Sequence, residues 1–232
     1  MAAGFVQGVS GFGLGLVAMA FWAGVMPPQI AAPLIALGSV AGQALTLPAV
    51  WASLDLRRAA PMIAAGLAGI PLGLWMLPYV DQIAFRFWVG VLLCLYCPAL
   101  LFVPRMPPLQ WGGEWANAGS GLVGGIMGGL AGLSGLAPVL WMTLRGWDPG
   151  TTRSIIQAFL IAAQMAGLAG FVATGFVTAD VWRLAAWTMP LILVASLTGS
   201  VVYGRFSGEG FRRLVLALLT LAGASLVAQG FL

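Results

Sequence analysis

Apolar residues run along this chain in eight long stretches separated by polar interruptions, at about 1–26, 28–52, 60–80, 84–104, 116–144, 154–176, 182–204 and 210–231. Stretches of this kind reach the roughly 18 to 20 residues that a helix needs to cross a hydrocarbon core. Barrel-strand alternation of apolar and polar positions is absent, so helices must satisfy the backbone polar groups. Breaks fall at Pro27-Pro28, Asp55 to Arg58, Asp81, Arg105 to Glu114, Arg145 to Arg153, Thr178 to Arg183 and Arg205 to Arg213. The pattern predicts an all-α, polytopic membrane protein. No polar stretch is long enough to form a soluble domain.

The stretches repeat. Gly4, Gly8 and Gly11 match Gly125, Gly129 and Gly132 at an offset of 121 residues, as do Pro28 with Pro149 and Gln43 with Gln164. With five more residues in the second copy, Gly73 matches Gly199 and Arg86 matches Arg212. The polar linker, with Pro107-Pro108 and Gly112-Gly113, divides a first repeat (1–104) from a second (115–232) across residues 105–114. Duplicated, glycine-interrupted membrane segments are a common way to build a transport site between two halves.

Segments 1 and 5 differ from the rest. Trp115 to Leu144 would measure about 45 Å as one helix, against a core of about 30 Å. Eight glycines lie between Gly119 and Gly135. Either one tilted helix packs through them, or two half-helices meet near Leu133-Ser134-Gly135. Arginine placement favours the second. If all eight segments cross, the ten arginines split four against six; if segments 1 and 5 re-enter, they split eight against two, with Arg86 and Arg183 in the minority. The second split obeys the positive-inside bias. It leaves three crossings per half, so the repeats are expected to be inverted and both termini to lie on the non-cytoplasmic side.

Composition narrows the partners. Hydrophobic residues make up 61% of the chain and charged ones 7%, and the net charge is +4. In a membrane chain that excess reflects arginine in cytoplasmic loops, so no nucleic acid is expected; the partners are the bilayer and a small anion, and a homodimer is compatible with the pattern. No basic region precedes the first apolar run, so an uncleaved first segment is expected to insert. Cys94 and Cys97 stand as a CxxC inside an apolar run with no His anywhere in the chain, which fits packing and not a metal site. No cofactor or metal is expected.

Candidate chemistry collects at the breaks. Gln7, Ser10, Gly11, Phe12, Gly13 and Gly15 form one polar, glycine-rich patch; Gly132, Ser134, Gly135 and Pro138 form the other. A break at membrane depth frees backbone N–H groups and points the next half-helix's positive end at the gap, an arrangement suited to a small anion. The competing reading is that these glycines only allow close packing. Gln43 and Gln164 lie deep in equivalent segments and would flank a central site, or else only bond between helices. Thr46, Gln157 and Thr174 are weaker candidates of the same kind. Arg153, near the start of segment 6, would hold an anion at the entrance or simply set topology. All six acids fall at segment ends, so a carboxylate proton relay is not expected. Gly132-Leu133-Ser134-Gly135 has the GxSG form of rhomboid intramembrane proteases, but the chain has neither His nor Lys to serve as base, and no enzyme is expected.

The chain resembles the TauE/SafE family of sulfite exporters and related permeases. The resemblance rests on Gly4-Phe5-Val6-Gln7-Gly8 to Gly11-Phe12-Gly13-Leu14-Gly15, on Gly121 to Pro138 with Asp148-Pro149, and on Gly199 with the Arg205 to Arg213 loop. It implies an inner-membrane transporter of small sulfur oxyanions or organosulfonates. By the 121-residue offset Met1 matches Leu122, whereas the second run begins near Trp115, so the first copy lacks about seven residues of a leading helix. The leading expectation is an alternating-access exporter binding at Gln7, Ser10, Gly11, Gly13, Gln43, Ser134, Gly135, Gln164 and Arg153; the alternatives are a passive anion channel and a non-transporting membrane scaffold.

Overall fold

A computed structural model describes residues 1–10, 13–50, 55–102, 108–109, 111–147, 149–206 and 209–229. Among these the regular structure is helical: α1 (Ala2–Ser10), α2 (Leu14–Trp22), α3 (Pro28–Val50), α4 (Leu56–Met76) with a 3₁₀ turn (Leu77–Tyr79), α5 (Gln82–Phe102), α6 (Gly113–Ala131), α7 (Leu136–Arg145), α8 (Pro149–Ala173), α9 (Ala179–Phe206) and α10 (Glu209–Gln229). The second five helices repeat the order of the first five. Among the described residues, five helical stretches are long and apolar enough to span a bilayer: Pro28–Leu45, Leu56–Tyr79, Gln82–Phe102, Gly150–Ala173 and Ala179–Val201. A shorter apolar run, Val215–Ala228, lies in α10. Trp187, Val201, Leu95 and Leu221 point outward, as a hydrocarbon solvent requires. This is a multi-pass helical membrane protein.

Segments 1 and 5 are both broken. Gly13 takes φ 103° ahead of α2, and Gly132 takes φ 69° behind α6, a region open to glycine at little cost. The Gly132 N–H returns to the Gly128 carbonyl at 2.9 Å and closes α6. The chain then doubles back. Trp141 Nε1 donates to Asn117 Oδ1 at 2.8 Å, the Arg145 guanidinium donates to the Trp111 carbonyl at 3.4 Å, and the Leu109 N–H donates to the Leu144 carbonyl at 2.9 Å. Thus α6 and α7 are an antiparallel hairpin whose two ends share one pole of the molecule, and the single tilted helix is excluded for segment 5.

Several helices start before their apolar runs. Arg57 and Arg58 lie in the first turn of α4, Arg153 in α8 and Arg183 in α9. Charge ends a hydrophobic stretch without ending a helix, because side chains such as those of Arg58 and Arg183 reach water from the first turns. The acids serve as caps. Asp55 accepts from the Arg58 N–H at 3.0 Å, and Asp81 from the N–H groups of Ile83 and Ala84 at 2.9 and 3.1 Å.

The poles follow from such contacts. The Asp55 N–H donates to Ser154 Oγ at 2.7 Å, joining the start of α4 to the start of α8. At the other pole Gln29 donates to the carbonyls of Leu77 and Val80, and Arg86 donates to the carbonyl of Gly24. Among the described residues, Arg57, Arg58, Arg145, Arg153, Arg205, Arg212 and Arg213 therefore fall at helix ends of one pole, and Arg86 and Arg183 at those of the other. Arg105 lies outside the described residues.

Packing crosses between the repeats. α6 runs parallel to α4: a Cβ on Gly121 would strike the Met62 carbonyl, one on Gly125 the Gly66 carbonyl, and one on Gly129 the Ile70 carbonyl. The matching contact joins α1 to α9, where a Cβ on Gly4 or Gly8 would strike the carbonyls of Ile192 and Ser196. The Ser196 hydroxyl also donates to the Gly4 carbonyl at 3.0 Å. These glycines let backbones touch, the small-residue packing that holds helices together in lipid.

Candidate functional site

The two broken segments meet at their breaks. A Cβ on Gly15 would stand 3.0 Å from the Gly132 carbonyl and 3.2 Å from the Leu133 side chain, so the tips touch backbone to backbone. Between them lies a cavity of about 30 Å³, lined by Gln7, Gly13, Leu14, Gly15, Leu16, Ser39, Gln43, Tyr96, Gly132, Leu133, Gly135, Leu136, Leu160 and Gln164. α3 and α8 supply equivalent positions to the lining: Gln43 and its mate Gln164, and Ser39 and its mate Leu160.

Among the described residues, the lining carries no ionised side chain. Its polarity comes from amides, a hydroxyl, a phenol and exposed helix ends. α2 starts behind Gly13 and α7 behind Gly135, and neither N-terminus has a side-chain cap. The positive ends of both helix dipoles therefore lie beside the cavity, and on α7 the Leu136 N–H is taken by the Leu133 carbonyl at 3.3 Å while Pro138 has none. Such a site favours negative charge without placing a fixed cation in the membrane.

Gln7 is the most deeply buried of the glutamines, at 2% exposure. Its Nε2 donates to the Ser39 carbonyl at 3.2 Å. Gly42 makes room for it, since a Cβ there would come within 2.5 Å of the same nitrogen. The second repeat solves the same position differently: Gly128 replaces Gln7, and the Ser134 side chain, in place of Gly13, fills the space beside it. One repeat thus draws its polar group from the helix and the other from the break.

Of the expected site residues, Gln7, Gly13, Gln43, Gly135 and Gln164 line the cavity. Ser134 is 1% exposed and packs against α6 beside it. Gly11 and Phe12 lie outside the described residues, as do the side chains of Ser10, Thr46 and Arg153. The backbone of Arg153 is eleven residues before Gln164 on α8, about 16 Å along the axis, so it stands toward the arginine-rich pole and away from the cavity. Gln157, on the same face as Gln164, is buried between the two. Thr174 bonds only its own helix end, through the Gly170 carbonyl at 2.7 Å.

Sequence reasoning missed Ser39, Tyr96 and Leu133. Ser39 stands one turn before Gln43 on the same face of α3, a spacing that would have found it. Tyr96 had no such signal, because its equivalent in α10 is Ala222.

The pattern of the sulfite exporter TauE/SafE family matches residues 1–226, nearly the whole chain. The chain belongs to the TauE/SafE family. A relative from Cupriavidus necator, named as a probable sulfite/organosulfonate exporter, is 28% identical over 230 residues, covering 96% of this chain and 89% of its own length. No solved structure matches. Family membership makes the chain a membrane transporter.

Proposed function

We propose that this chain exports a small sulfur oxyanion or organosulfonate across the cytoplasmic membrane by alternating access. The supporting observation is the convergence of two uncapped helix N-termini, one from each repeat, on a buried cavity without fixed charge. A neutral donor set binds an anion yet releases it, as a transport cycle requires, whereas a buried arginine would hold it. Gln43 and Gln164 flank the anion, and the inverted repeats expose it to one pole and then the other. An inside-negative potential drives a monoanion outward by about 2.3 kcal/mol per 100 mV.

The size of the cavity supports a carrier over an open channel. About 30 Å³ admits roughly two water molecules, so the site must widen to load. The test is anion flux into proteoliposomes under an imposed potential, with sulfite, sulfoacetate, thiosulfate, sulfate and lactate. Saturable, counterflow-competent sulfite or sulfonate flux that falls in Gln43→Ala and Gln164→Ala is expected. Large unitary currents would favour a channel, and flux indifferent to both substitutions would leave only a scaffold role for the glutamines.

A further inference from the structure

The orientation of the Gln7 amide is settled by its partner. The Ser39 carbonyl can only accept a hydrogen bond, so the nitrogen of the amide must face it, at 3.2 Å. Gly42 lets the amide lie flat against α3 and holds it in that pose. Oε1 is therefore turned the other way. It is buried in a residue that lines the cavity, and it has no hydrogen-bond partner among the described residues. The cavity lining thus combines two helix N-termini with an acceptor at Gln7 Oε1 that has no partner among the described residues.

That combination selects among anions. A bare dianion would bring negative charge against a carbonyl dipole in a low-dielectric site, where the repulsion is poorly screened. A monoanion without a donor would leave Oε1 buried and unanswered, and a site built around a hydrogen bond rejects the analogue that lacks it. From the reading of this cavity as the transport site, we infer that the preferred substrate is a monoanion carrying its own hydrogen-bond donor: hydrogensulfite, or a sulfonate with a hydroxyl or ammonium group close to the sulfur. The anionic oxygens face the N-termini of α2 and α7, and the donor faces Gln7 Oε1. Gln7 is then a specificity determinant of the first repeat, with no counterpart in the second, where Gly128 stands.

Two sulfonates of equal charge test this. Methanesulfonate and hydroxymethanesulfonate differ by one hydroxyl, and both are fully ionised across the neutral range. Each is offered to proteoliposomes of the full chain as a transported solute and as a competitor of sulfite flux. Hydroxymethanesulfonate is expected to be favoured about tenfold, within the range for one buried acceptor left unpaired. Gln7→Leu is expected to bring the ratio close to one while methanesulfonate is still carried. Equal handling of the two by the unaltered protein would overturn the inference and leave the transport reading standing, with Oε1 answered by water. A preference that survives Gln7→Leu would also overturn it, because the donor would be read elsewhere. Should Gln7→Leu fail to fold, the ratio in the unaltered protein decides alone. Absence of flux for either sulfonate and for sulfite would instead remove the transport reading itself.

Discussion

Trp141 is bonded to Asn117 across the α6–α7 hairpin, Nε1 to Oδ1 at 2.8 Å, and this bond clasps the two arms near their shared pole. Asn117 is buried, and Arg145 adds a cation over the faces of Trp141 and Trp147 at 5.9 and 5.2 Å. Asn117→Leu removes the acceptor and leaves the indole N–H unanswered. A loss of about 1 kcal/mol is expected, seen as a lower unfolding midpoint in detergent. Unchanged stability would mean that this bond adds nothing to the hairpin's other contacts.

The glycines divide into two groups that substitution can separate. Gly125 has the Gly66 carbonyl against it, whereas Gly119 and Gly167 have nothing within 4 Å of an added Cβ. Gly125→Val should cost about 3 kcal/mol or more, because backbone must move. Gly119→Ala should be neutral or gain up to about 1 kcal/mol from helix propensity. Monodispersity and thermal unfolding in detergent measure both; equal tolerance would contradict the parallel α4–α6 contact.

Leu133 lines two spaces at once. One is the polar cavity; the other is an apolar crevice of about 350 Å³ between α5 and the hairpin, bordered by Phe85, Trp88, Leu92, Leu95 and Met127. Leu133→Ala should join them and admit bulkier sulfonates, raising flux of benzenesulfonate relative to methanesulfonate about tenfold. An unchanged ratio in the flux assay would show that the tip recloses around the smaller side chain.

Sidedness is testable without transport. With Cys94 and Cys97 replaced by alanine, single cysteines at Tyr79 and Trp115, both strongly exposed, should react with an impermeant reagent from opposite sides of the membrane. Cysteine at Trp115 is expected on the cytoplasmic side, together with the arginine-rich pole. Labelling of both from one side would refute the membrane crossing of α5.

How far the sequence could be read depended on symmetry. Pro28 with Pro149 and Gln43 with Gln164 were visible because both copies kept the residue, and both helix starts and both cavity walls follow from them. Ser39 was hidden because its mate is Leu160, and Gln7 stood alone because its mate is Gly128, with Ser134 filling the space instead. The packing reading of the glycines holds at Gly4, Gly8, Gly121 and Gly125, whereas Gly13, Gly15, Gly132 and Gly135 form the tips of the breaks. An offset between repeats contains no information on which helix lies against which, and for that reason the α4–α6 and α1–α9 pairings came only from the three-dimensional arrangement.

Those crossed pairings impose an order on synthesis. α6 emerges from the ribosome to find α4 already in the membrane, but α1 emerges roughly 190 residues ahead of the carbonyls of Ile192 and Ser196 that its glycines are shaped to meet. Until then its bare Gly4–Gly8 face lies against lipid or the insertion machinery. The α1 helix is therefore made long before the helix that seats its glycine face, and errors of assembly should concentrate at the α1–α9 contact.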